Sequence, residues 1–170
     1  MKQLVITLIG TDRPGLVETL SDTVFQHQGS WQASSLSKLA GKFAGIVQID
    51  INEDNADALK DALNRIPDLN VLIANATPQT EMDTTTHTLS VTGNDRPGIV
   101  QEVTREIAKF GININNLETN TQSAANFGGV IFNAEFDLDI ANTLSLDDLG
   151  DALEQLSDDL IVEFDESDIA

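Results

Sequence analysis

Apolar and polar residues alternate in a pattern that occurs twice along the chain. Leu4, Ile6 and Leu8 alternate with Val5, Thr7 and Ile9, which predicts a central strand ending at Gly10. Leu16, Val17, Leu20 and Val24 then fall at helical spacing, with Glu18, Ser21, Asp22 and Gln26 on the other side and Gly29 as the stop. Residues 30–39 predict a second strand and Ala40-Gly41-Lys42 a turn, and Phe43, Val47, Ile49 and Ile51 line a third strand. Ala56, Leu59, Ala62, Leu63 and Ile66 form a second helix stopped by Pro67, and Val71 and Ile73 mark a fourth strand.

The order then repeats. His87, Leu89 and Val91 predict an inward strand face backed by Thr86, Thr88, Ser90 and Thr92, followed by a helix through Ile99, Val100, Val103, Ile107 and Phe110 that Gly111 closes. Residues 113–121 and the alternation Val130, Phe132, Ala134, Phe136, Leu138 predict two more strands. Ser145 with Asp148 three residues on is a capping-box start for a helix carrying Leu149, Leu153 and Leu156, and Leu160, Val162 and Phe164 supply the last strand. The reading is α+β: two tandem ferredoxin-like βαββαβ domains with antiparallel sheets and helices on one face. The expected boundaries are 1–76 and 86–166, with the polar stretch 77–85 as linker. Units this small bury a marginal core, so association with each other or with further copies is expected.

The sequence Gly10-Thr11-Asp12-Arg13-Pro14-Gly15-Leu16-Val17 returns 83 residues later as Gly93-Asn94-Asp95-Arg96-Pro97-Gly98-Ile99-Val100, identical at six of eight positions. Each copy joins a strand to a helix. One reading is structural: Pro sits in the first helical turn, Asp12 and Asp95 cap the helix, and Gly15 and Gly98 permit close helix-to-strand packing. The other is chemical. Free N–H groups at a helix N-terminus seat a carboxylate, and a nearby Asp meets an ammonium, which together suit a small zwitterionic amino acid.

The net charge of −19 is unevenly spread. Residues 1–76 carry six Lys/Arg against nine Asp/Glu, whereas residues 86–170 carry three against seventeen. Such a surface repels phosphate backbones, so direct nucleic-acid binding is not expected; the acidic half reads as a solvated face or as a docking surface for a basic partner. No cysteine is present, which excludes disulfides and thiolate sites. The apolar run after Met1 is too short for a signal peptide and none spans a membrane, so a cytoplasmic location is expected. An enzyme is not expected either: there is no Gly-x-Ser-x-Gly elbow, and Gly41-Lys42 lacks the upstream glycine of a phosphate loop. His27 and His87 lack companions for a metal site, and Glu135, Asp137 and Asp139 read as one wet strand face, so neither metal nor cofactor is expected.

The twice-occurring Gly-x-Asp-Arg-Pro-Gly-[Leu/Ile]-Val inside βαββαβ units resembles the ACT domain, a regulatory module that commonly binds amino acids between copies. Two such units without a catalytic domain, over residues 1–166, resemble the glycine cleavage system transcriptional repressor family. That resemblance implies a regulator that responds to glycine and acts through a DNA-binding transcription activator protein; the tight loop itself leaves glycine or serine open, and the small units point to a homo-oligomer. Its alternatives are a stand-alone regulatory subunit of a metabolic enzyme and a ligand-free interaction adaptor. It places ligand-loop residues at Asp12, Arg13, Pro14 and Gly15, and at Asn94, Asp95, Arg96, Pro97 and Gly98. The strand after the first helix of the second unit adds Asn113, Asn115 and Asn116. The first unit has Ser30-Trp31-Gln32-Ala33 there, with Trp31 read as an edge or interface anchor.

Overall fold

The computed structural model describes residues 1–77, 83–123 and 129–165. The chain divides into two compact units, Met1–Gln79 and Thr80–Ala170. The first runs β1 (Lys2–Thr11), α1 (Leu16–Gln26), β2 (Ser30–Leu39), β3 (Lys42–Ile51), α2 (Glu53–Asn64) and β4 (Leu69–Asn75). The second repeats it as β5 (Thr84–Asn94), α3 (Ile99–Lys109), β6 (Asn113–Ser123), β7 (Val130–Ala141), α4 (Leu146–Glu154) and β8 (Ile161–Phe164). Thr84 and Thr85, assigned to the linker by composition, already belong to β5.

Each unit forms a four-stranded antiparallel sheet, in the order β2-β3-β1-β4 and β6-β7-β5-β8. Period-two alternation puts Leu4, Ile6, Leu8, Val47 and Ile49 on one face of the first sheet. There they pack with Leu16, Leu20 and Val24 of α1 and Leu59 and Leu63 of α2. The second unit matches this with Leu89, Val91, Phe136 and Leu138 under Val103, Ile107, Leu149 and Leu153. Each fully buried large aliphatic or aromatic side chain contributes about 1.5–3 kcal/mol.

Local signals were met unevenly. Ser145 caps α4 as read, its Oγ accepting from the Asp148 N–H at 3.3 Å. The stop of α1 differs from the expectation: the left-handed position is held by Gln28 (φ 60°), and Gly29 follows it under Val24. In the second unit the matching position is Gly111 (φ 70°), where glycine suits that backbone. The edge strands β2 and β6 carry a bulge at the same place, between Trp31 and Ala33 and between Ile114 and Asn116. Trp31 lies on the edge strand β2 with its side chain packed against the core.

Candidate functional site

The repeated loops turn the chain from the central strand into the first helix of each unit. Gly15 and Gly98 are the N-caps, both left-handed at φ 78° and 92°. This corrects the structural reading of the motif on three points. No side chain caps either helix, so Asp12 and Asp95 do not serve that role. Pro14 and Pro97 precede the cap rather than sitting in the first turn. A Cβ on Gly15 or Gly98 would meet nothing closer than 3.6 Å, so these glycines answer a backbone angle and not a tight helix-to-strand contact. The intrahelical ladder begins with Thr19 N–H to Gly15 O (2.9 Å) and Glu102 N–H to Gly98 O (3.0 Å). The N–H groups before it sit at the positive end of the helix dipole. One of them, on Ile99, donates to Arg96 O at 3.3 Å.

The two copies of Asp-Arg have opposite partners. In the first unit Asp12 is paired with Lys38 Nζ at 2.5 Å, and its N–H donates to Gly41 O in the β2–β3 turn. Arg13 is exposed and makes no ion pair among the described residues. In the second unit Arg96 is the engaged member: Nη1 and Nη2 donate to Glu102 Oε1 and Oε2 at 2.9 and 2.6 Å. Asp95 has no ion pair among the described residues, and its N–H is fixed by Val130 O at 2.8 Å. Register explains the swap. Thr19 stands where Glu102 does and turns its hydroxyl to Gly15 O, while Thr121 stands where Lys38 does.

The second loop has one further anchor, Asn94 N–H to Asp159 Oδ2 at 2.9 Å. Asp159 also accepts from the Ser157 hydroxyl, which with the Asn94 N–H holds its carboxyl below the usual range. The sequence reading missed Glu102, Asp159 and Lys38. The first two come from the next helix turn and a distant connection, and Lys38 from the neighbouring hairpin.

Hydrogen bonding to Arg96 lowers the Glu102 pKa, and the same pair raises that of Arg96. A carboxylate lowered on folding stabilises above its unfolded pKa and loses that contribution as pH falls through the folded one. We therefore expect Glu102→Gln to lower the thermal midpoint slightly at neutral pH. In acid melts the difference from wild type should begin to shrink below the ordinary glutamate value of 4.5 and vanish only below the lowered folded value.

Asn113, Asn115 and Asn116 do not join the loop within one unit. Asn113 is level with Asp139 and so with Thr86, at the start of β5, whereas the loop leaves the other end of that strand at Asn94. Asn116 is level with Thr88, so six to eight steps at about 3.3 Å separate the asparagines from the loop by roughly 20–26 Å. Asn115 is the bulged residue, its side chain accepting from Asn113 Nδ2 at 2.9 Å, and all three asparagines are exposed. Among the described residues, no group of three or more His, Asp or Glu is placed to hold a metal ion, and no helix is long and apolar enough to cross a membrane.

Two ferredoxin-like units, each with a glycine-capped Asp-Arg-Pro-Gly loop between its central strand and first helix, define the class of fold. Family models described as ACT domain match residues 2–74 and 81–160. The chain belongs to the ACT-domain family, as two ACT domains in tandem. It is similar along its length to a protein of unknown function from Galdieria sulphuraria, at 27% identity and TM-score 0.82, covering 96% of this chain and 97% of that one. A second solved structure, described as a candidate glycine cleavage system transcriptional repressor, matches with TM-score 0.71 at 22% identity and covers 96% of each chain. A curated UPF0237 protein from Methanopyrus kandleri is 34% identical over 53 residues; the match takes in 31% of this chain and 59% of that protein's length.

Proposed function

We propose that this chain is a non-enzymatic, amino-acid-responsive regulator that represses glycine cleavage genes through a DNA-binding activator protein. The observation that carries the reading is the second loop. There Asp95, three residues before the N-cap of α3, makes no ion pair among the described residues, while Arg96 is held by Glu102. A carboxylate next to uncommitted helix N–H groups fits the ammonium and carboxylate of one small amino acid, glycine or serine. The first loop favours this less, since Asp12 is neutralised by Lys38.

Asn113, Asn115 and Asn116 lie at the far end of their own sheet, so they complete a ligand site only when supplied to the loop of another ACT unit. A homo-oligomer meets that requirement. Likeness to a candidate glycine cleavage repressor supports the regulatory setting through the shared tandem fold.

Residues 86–170 carry three Lys/Arg against seventeen Asp/Glu, which gives little with which to hold a phosphate backbone. The purified protein is therefore expected not to retard duplex DNA at moderate salt. It is expected to change the footprint or mobility of a cognate activator already on its site, in a glycine-dependent way. Tight sequence-specific binding of DNA by the chain alone would contradict the mechanism.

A further inference from the structure

The two sheets share one register but carry different chemistry on the face turned away from the helices. In the first unit the rung through Thr7 reads Ser35, Ile46, Thr7, Leu72. The matching rung of the second reads Glu118, Glu135, Ser90, Glu163. Val5, Ile9 and Ala44 likewise stand where the second unit has Thr88, Thr92 and Asn133. A fold that accepts glutamate at these positions does not itself demand isoleucine or leucine there. Yet Ile9, Ile46 and Leu72, set around Thr7 on one sheet face, are 48%, 50% and 71% exposed.

We infer that this open face of the first sheet is the contact surface for a second copy of the chain, packed sheet on sheet about a two-fold axis. Four strands about 4.8 Å apart and roughly nine residues long outline on the order of 1,100 Å² over two copies, just above the roughly 1,000 Å² that a biological contact needs. A depression of about 520 Å³ lies on this face beside Val5, Ser35 and Ile46.

Charge selects the same occupant and its orientation. Lys42 and Asp50 stand on this face at opposite ends of β3. Neither makes an ion pair among the described residues; Lys42 Nζ donates to Thr11 Oγ1 at 3.4 Å, and Asp50 Oδ1 is buried without a hydrogen-bond partner among them. A two-fold axis that runs β3 antiparallel to its copy brings Lys42 of each copy over Asp50 of the other. A carboxylate-bearing face is a poor occupant, because its glutamates would be desolvated against Ile46 and Leu72.

Sedimentation equilibrium of the full chain without added amino acid tests this, with circular dichroism to establish that each variant is folded. Wild type is expected to be self-associated at about 10 μM. Ile46→Glu, which copies Glu135 at the matched position, should halve the assembled mass and raise the dissociation constant on the order of a hundredfold. Lys42→Glu and Asp50→Lys should each weaken association, and the two together should restore it, a readout that survives if Ile46→Glu fails to fold. A monomeric wild type, an unchanged mass for folded Ile46→Glu, or a double variant no better than the single ones would overturn the inference. These outcomes are independent of amino-acid binding.

Discussion

Phe136→Ala is expected to destabilise the second unit strongly while leaving the first almost unchanged. Phe136 is fully buried on the inner strand β7, packed in the core that includes Leu89, Val91, Val103, Ile107, Leu149 and Leu153. Removing a buried phenylalanine side chain costs about 3–5 kcal/mol, through lost transfer energy and the cavity left behind. A small domain has about 5–15 kcal/mol in all, so this is a large share of its stability. The two cores have no residue in common, so the first unit has no direct part in the loss. Calorimetry should show the transition of the second unit falling by more than about 10 °C, with that of the first changed little.

Glycine or serine is expected to raise the melting temperature of the wild-type protein, and Asp95→Ala to abolish the rise. A ligand at 100 times its dissociation constant that binds only the folded state adds about 2.7 kcal/mol. For a second unit that melts in its own transition this corresponds to roughly 11–22 °C. Asp12→Ala should preserve most of the response, because Asp12 is already committed to Lys38 while Asp95 has no such partner among the described residues. Thermal shift measurements across the twenty amino acids check both points. A flat response from the assembled protein would favour the ligand-free adaptor instead.

Element order and core were legible in the sequence because both follow from short-range periodicity. Leu4, Ile6 and Leu8, and the duplicated octapeptide after them, place strand, loop and helix within a few residues of their observed bounds. What the octapeptide does locally was less legible. Gly15 takes the left-handed cap position, and whether an aspartate three residues earlier can reach the helix depends on the path of the loop, which composition does not specify. The left-handed residue after α1 fell on Gln28 rather than Gly29 because the close approach of Val24 claims the glycine instead.

The candidate site was legible as a set of residues but not as an arrangement. Identical Asp-Arg pairs acquire opposite roles from partners outside the motif: Lys38 from the hairpin in one unit, Glu102 from the helix in the other. The Asn113–Asn116 run is near the loop in sequence order, yet α3 carries the chain back along the sheet before β6 begins, which puts the two at opposite ends.

The central claim is that the second loop receives a small amino acid, and a glycine titration followed by backbone amide NMR of the full chain tests it most directly. The account predicts saturable shifts concentrated at Asp95 and at the amides of Gly98 to Gln101, smaller effects at Asp12 to Val17, and loss of the shifts in Asp95→Ala. Shifts confined to the first loop, or none with glycine or serine, would contradict it.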